Sequence, residues 1–175
     1  MKIQFESSTA CNAKCTFCPR YDMTRPRGEM SDELFYKIIK EGKEIKDSVF
    51  IPFLNGEPFV FPRIWKWLDY MKSQDVNVHI FTNAEFIDVD RVTQYPNIGL
   101  FCCSVNAATK ETYDKITRGP NYETVKTNVE DLIKKSNSHV VVSMVVVDEN
   151  QHEVKQFKKL WGKKKMPKPT KSKIT

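Results

Sequence analysis

Nowhere in the 175 residues does an apolar run approach the roughly 18 residues of a membrane span, so no transmembrane segment is expected. The opening MKIQFESS lacks both the long apolar core and the small-residue cleavage site of a secretory signal, which places the chain in the cytoplasm. With 40% hydrophobic and 29% charged residues it is neither collagen-like nor wholly disordered, and its length allows one ordinary domain. An even set of cysteines is also missing. Five cysteines without an export signal argue against a disulfide framework.

What charge there is sits unevenly. The net charge is +6, but Lys158, Lys159, Lys163, Lys164, Lys165, Lys168, Lys171 and Lys173 crowd the end of the chain with no acid among them. The rest holds 20 basic against 22 acidic residues and is mildly acidic. A lysine, proline and threonine tail has too few apolar side chains to offset its ordering entropy, so residues 163–175 are expected to be disordered, with 1–162 as the folded core. The tail lysines are not interleaved with stacking aromatics, so nucleic acid is not the expected partner.

Periodicity divides the core into alternating strands and helices. KIQFESS alternates like a strand, and Ser31, followed by Asp32 and Glu33, opens a helix with Leu34, Ile38 and Ile45 at helical spacing. Val49 to Leu54 reads as a second strand ending at Asn55-Gly56, and Ile64, Trp67, Leu68 and Met71 as the helix after it. Val76 to Phe81 is the third strand, with a short helix over Phe86 to Val92. Ile98 to Val105 is the fourth, in which Cys102 and Cys103 are expected to be core. A helical region then runs to Lys135 with Val125, Val129, Leu132 and Ile133 on one face. Val140 to Val147 is the fifth strand. Asn150 and Glu153 resemble a capping box before a last helix that carries Val154, Phe157 and Leu160 inward. Continuous apolar strands alternating with amphipathic helices argue an α/β fold with a parallel sheet, open or part of a barrel. In such sheets the chemistry lies at the C-terminal strand ends, which here read CNAKCTFCPR, NGEP, TNA, SVNAAT and DENQHE.

The first of these ends carries Cys11, Cys15 and Cys18 as CxxxCxxC. Three thiolates can hold three corners of a cubic iron-sulfur cluster and leave one iron open, whereas structural zinc and electron-carrier clusters take four protein ligands. A fourth ligand from His79, His139 or His152 would make a zinc module the alternative, although His79 and His139 fall in or beside strands.

CxxxCxxC with an aromatic, Phe17, before the last cysteine resembles the signature of the radical S-adenosylmethionine (radical SAM) superfamily. The resemblance extends to Asn55-Gly56-Glu57-Pro58, similar to the family's GGEP, to Thr82-Asn83-Ala84, similar to its TNG, and to Ser104-Val105-Asn106-Ala107, similar to its S-[IVL]-D-A with Asn in place of Asp. TKETYDKITRGPNYETV, with Pro-Arg-Tyr and Gly-Glu-Met-Ser between Pro19 and Ser31, resembles the SPASM and MoaA-like subgroup. The resemblance covers roughly residues 1–160. It implies a partial (β/α) barrel, a four-iron four-sulfur cluster on the three cysteines, and SAM on the open iron. It further implies SAM contacts at Phe17, Gly56, Glu57, Pro58, Asn83, Ser104, Asn106 and Arg118, with Glu57 at the amino group and Arg118 at the carboxylate. The activity implied is reductive SAM cleavage to a 5′-deoxyadenosyl radical that abstracts hydrogen from a peptide or small molecule, with an electron donor of the flavodoxin or ferredoxin type.

The family barrel has six βα units and only five are found, so the chain reads as a truncated core. The exposed apolar edge at VVVSMVVV calls for a partner chain or a dimer to cover it. The alternatives are a remnant that binds cluster and SAM without catalysis, and the zinc module.

Overall fold

The computed structural model describes residues 1–162, and the expected disordered tail at 163–175 lies outside the described residues. Five parallel strands form one sheet in the order β1-β2-β3-β4-β5: β1 Lys2–Gln4, β2 Val49–Ile51, β3 Asn77–Thr82, β4 Ile98–Ser104 and β5 His139–Ser143. Helices connect them: α1 Asp32–Gly42, α2 Ile64–Ser73, α3 Val89–Val92, α4 Lys110–Ile116, α5 Tyr122–Lys135 and, after β5, α6 Val154–Trp161. The parallel α/β sheet is the one expected from the alternation of buried strands and amphipathic helices, and the partial barrel is the form the resemblance implies. Among the described residues no helix is long and apolar enough to cross a membrane.

The core lies between the helices and one face of the sheet. Phe50, Val78, Ile80, Phe101, Cys103 and Val140 alternate inward along their strands to meet Phe35, Ile39, Trp67, Leu68, Met71, Val125, Val129 and Leu132. Phe35 stacks flat on Trp67 at 4.1 Å between ring centres. Asp32 ties α1 to the start of α2, accepting from Lys66 Nζ, Trp67 Nε1 and Arg63, and the bonds from Lys66 and Trp67 hold its carboxyl down at about 2. The opposite face of the sheet is the hollow side of the half-barrel. There His79, Phe81, Leu100, Cys102 and Val141 stand at neighbouring register positions, half-buried, with Phe53 stacked on Phe81.

Several local expectations are corrected. The second strand stops at Ile51 because Pro52 offers no N–H to continue a ladder, and Phe53 N–H turns back onto Ile51 O. The fifth stops at Ser143, since Val145 and Val147 N–H are taken by the Asn106 and Asn150 side chains, leaving Val145 and Val146 exposed. The inward side of α1 is Phe35 and Ile39, while Leu34 and Ile45 are exposed. Cys103 is core as expected, but Cys102, one residue away on a strand, faces the hollow side. The region up to Lys135 is two helices, broken where Gly119 takes a positive φ of 124° just before Pro120. The capping box does not form: Asn150 makes no cap bond and Glu153 turns toward α4.

Candidate functional site

The segment carrying the three cysteines leaves β1 and is held against the end of α4. Lys14 N–H donates to Thr117 O and Arg118 O at 3.1 and 2.7 Å, and Thr16 N–H to Ile116 O at 2.8 Å. Ile116 O and Thr117 O are carbonyls that a helix C-terminus leaves without intrahelical partners, so the loop satisfies the helix end while the helix fixes the loop. Within the loop Cys18 N–H bonds Cys15 O at 3.2 Å, and Ala13 N–H points at Cys11 Sγ from 3.4 Å. Arg20, buried to 6% exposure, donates to Thr9 O and Ala13 O and closes the loop from behind. A groove of about 480 Å³ beside Cys11 and Asn12 is lined by Ser8, Arg20, Arg27 and Glu29.

Burial pushes the Cys15 thiol up to about 12, with Cys11 and Cys18 adding to the rise. Burial likewise raises Cys11, against an opposing bond from Ala13 N–H. The three thiols therefore lie within electrostatic reach of one another. Among the described residues no three His, Cys, Asp or Glu side chains are gathered closely enough to hold a single metal ion. A tetrahedral zinc site draws four donors to about 2.3 Å from one centre, whereas a cubane takes one thiolate per iron around a larger core. Three thiols match the ligand count of a cubane with one iron left open, and an N–H at Cys11 Sγ is the kind of bond that tunes a cluster's potential. Loading must release protons, because only thiolates bind.

The NGEP turn is pressed onto this loop. A Cβ on Gly56 would sit 1.9 Å from Ser8 O and 2.9 Å from Ala10 O, so only glycine fits, and Glu57 N–H donates to Ala10 O at 2.8 Å. The Glu57 side chain points inward. It is 3% exposed and accepts from Thr82 Oγ1 at 2.6 Å, Asn83 N–H at 2.7 Å and Phe59 N–H at 3.3 Å, which joins the ends of β2 and β3. Burial raises its carboxyl to about 7 despite the opposing bonds from Asn83, Thr82 and Phe59. What the turn presents outward near the loop is therefore backbone, while the carboxylate braces it. Pro58 is buried at the start of a short helical turn whose cap is Glu57, and Phe17 is half-buried beside Cys18.

At the end of β4, Ser104 Oγ lies 3.5 Å from Ser143 Oγ of β5. Asn106 is buried; its Oδ1 accepts from Val145 N–H, and its carbonyl accepts from Asn150 Nδ2. The fold uses Asn106 as an acceptor, a role that the family's aspartate would fill equally. Arg118 is exposed, its Nε bonded to Lys115 O of the preceding helix α4. Ala84, Asn106 and Arg118 have φ of 64°, 62° and 49°, so among the described residues three of the five non-glycine positions in the left-handed region lie just past the C-terminal ends of strands or on the turn against the cysteine loop. Such strain gathers where a surrounding structure holds a functional constellation in place.

Strand topology thus brings the cysteine loop, Gly56, Glu57, Asn83, Asn106 and the Arg118 turn to one end of the sheet. Sequence reasoning missed Asn12 and Glu85, which join that loop to the end of β3 and to the Arg118 turn, and the roles of Asn150 and Glu153. A polar residue between two motif cysteines was the one local signal for Asn12; nothing local marks Glu85. A second cavity, of about 460 Å³, opens at the other end of the strands, around Asn77, Asn97 and His139.

The family model described as the radical SAM superfamily matches residues 5–160. Among curated proteins, mycofactocin maturase MftC of Mycobacterium tuberculosis is 25% identical over 160 residues, covering 89% of this chain and 40% of the maturase. The probable GTP 3′,8-cyclase of Methanothermobacter thermautotrophicus is 24% identical over 157 residues, 88% of this chain and 51% of the cyclase. The chain thus spans about half the length of these relatives, or less. Among solved structures, Streptococcus suis SuiB bound to S-adenosylmethionine superposes with a TM-score of 0.74 at 14% identity, over 91% of this chain and 37% of SuiB. Native anSMEcpe with bound AdoMet gives 0.72 at 20% identity, over 94% and 49%. These likenesses show the fold.

Proposed function

The chain belongs to the radical SAM superfamily, and from that membership we propose that it is the SAM-cleaving core of a radical enzyme. The observation that carries this is the loop itself: three thiols, spread around a turn locked to the α4 carbonyls, beside a turn that tolerates only Gly56. In this reading Cys11, Cys15 and Cys18 hold a four-iron four-sulfur cluster. SAM lies over the strand ends, its amino group at the Gly56-Glu57 backbone and the Glu57 field, its carboxylate at Arg118 and Ser104. Asn83 and Asn106 shape the floor, Pro58 rigidifies the turn, and Phe17 packs beside the last thiolate. When bound, the cluster supplies the electron that splits SAM into methionine and a 5′-deoxyadenosyl radical for hydrogen abstraction. Arg118 must swing from Lys115 O to meet an anion, and its exposure permits this.

The substrate is a peptide or small molecule. A maturase relative and a SuiB structure bound to precursor peptide SuiA support the first, and a GTP cyclase relative the second. The electron donor is a flavodoxin or ferredoxin type of carrier, in the cytoplasm, where thiols stay reduced. The β5 edge, with an open groove along Val140, Val142, Phe157 and Trp161, is where a further strand, from more of the same protein or from a second chain, would pair.

The test is anaerobic reconstitution with iron and sulfide, then dithionite and SAM, following cluster EPR and 5′-deoxyadenosine together. The expected result is a signal that shifts with SAM and deoxyadenosine formation, both lost in Cys15→Ala. A variant that keeps full iron and activity, or a colourless protein holding one zinc, would overturn the reading. A cluster that shifts without SAM cleavage would restrict it to binding.

A further inference from the structure

We infer that Glu85 is a positioning residue that ties the cysteine loop to the Arg118 turn and so sets the geometry in which SAM is received. The inference rests on the function proposed above. Glu85 follows the left-handed Ala84 at the end of β3, and its backbone is fixed from two sides. Its N–H donates to Asn83 Oδ1 at 3.0 Å, while Asn128 Nδ2 on α5 donates to the carbonyls of Ala84 and Glu85 at 2.9 and 3.0 Å. The side chain then bridges two segments that are remote in sequence. Oε2 accepts from Asn12 Nδ2 at 2.5 Å, beside Cys11, and Oε1 accepts from Asn121 N–H at 2.6 Å, three residues after Arg118.

Asn12 is held a second time, its Oδ1 accepting from Asn83 Nδ2 at 2.8 Å. The turn presses directly on the same residue: a Cβ on Gly119 would stand 2.3 Å from Asn12 O. One carboxylate therefore fixes the spacing between the segment that holds the three cysteines and the segment that carries Arg118. Both bonds are charge-assisted and made to neutral amide donors, so an acceptor with two oxygens in a fixed fork is required. Alanine removes both ties. Glutamine keeps one oxygen for one donor and turns an NH₂ toward the other.

Wild type, Glu85→Ala and Glu85→Gln are compared in two measurements. In the metal-free protein, amide exchange at Asn121 should quicken in both variants, most in Glu85→Ala. After reconstitution, iron and sulfide content should match wild type in both. The SAM concentration giving the half-maximal EPR change should rise about tenfold in Glu85→Ala, with partial recovery in Glu85→Gln. If Glu85→Ala does not fold, Glu85→Gln carries the comparison. A SAM response within twofold of wild type, or a loss of cluster that merely follows loss of fold, overturns the inference. A wild type that builds no SAM-responsive cluster sinks the functional reading instead, and this inference with it.

Discussion

Glu57 is held by three hydrogen bonds and almost no solvent, and its titration should be visible in stability. Burial raises its carboxyl from 4.5 to about 7. A carboxyl raised by folding binds its proton more tightly in the folded chain than in the unfolded one. Its contribution is therefore fully present below the unfolded value of 4.5 and is lost as pH rises toward and through about 7. At 1.36 kcal/mol for each pH unit between the two values the full effect is about 3 kcal/mol, of which about 2.5 kcal/mol falls between pH 5 and pH 8. In Glu57→Gln the amide oxygen still accepts from Thr82 Oγ1 and Phe59 N–H, but the amide nitrogen confronts Asn83 N–H. That unpaired donor costs about 1–3 kcal/mol at every pH. Urea unfolding of the metal-free proteins from pH 5 to pH 8 should show wild type the more stable at pH 5, with the gap closing by about 2.5 kcal/mol at pH 8. Other groups titrate alike in both proteins and cancel. Parallel curves across this range would refute the argument that Glu57 is buried at the cost of its charge.

Gly56→Ala places a methyl group against the Ser8 and Ala10 carbonyls, so the NGEP turn must retreat from the cysteine loop. The expected cost is at least about 2 kcal/mol in urea unfolding, with a weaker SAM-induced EPR change; an unchanged midpoint and SAM response would contradict the close approach. Glu153, 3% exposed, accepts from Ala108 N–H at 2.6 Å, Thr112 Oγ1 at 2.7 Å and both Thr109 donors. Glu153→Ala should cost about 3 kcal/mol at neutral pH, read as a lowered melting temperature. Burial pushes the Glu153 carboxyl upward, but the bonds from Thr109, Thr112 and Ala108 prevail and hold it below its usual value. Its contribution is thus present above 4.5 and fades as pH falls through the depressed folded value, so the difference from wild type should shrink on acidification. A gap that grows in acid would refute this.

Where the periodicity was long and the breakers local, the sequence was legible. Ile64, Trp67, Leu68 and Met71 are all fully buried on α2, and Ser31 caps α1 through its side chain as its position suggested. Errors fell where a distant partner outbid the local pattern. VVVSMVVV looks like one strand until the amides of Val145 and Val147 are seen bonded to Asn106 and Asn150. Asn150 and Glu153 look like a cap until Glu153 is found bracing the start of α4, more than 40 residues away in sequence. Nothing local shows that the Glu57 side chain also braces the ends of β2 and β3.

Residue type and spacing by themselves determined the family signature, the parallel α/β alternation, and a set of three thiols one short of a four-donor site. Those are properties of short segments, governed by steric periodicity and ligand count. Only the tertiary structure decided which polar groups meet. Asn12 beside the first cysteine, Glu85 after the third strand and Asn121 before α5 are 36 to 109 positions apart in the chain. They become one hydrogen-bonded unit because parallel crossovers return every strand end to the same side. Hydrogen bonds act over about 3 Å, and no local pattern encodes which distant chain will arrive within that distance.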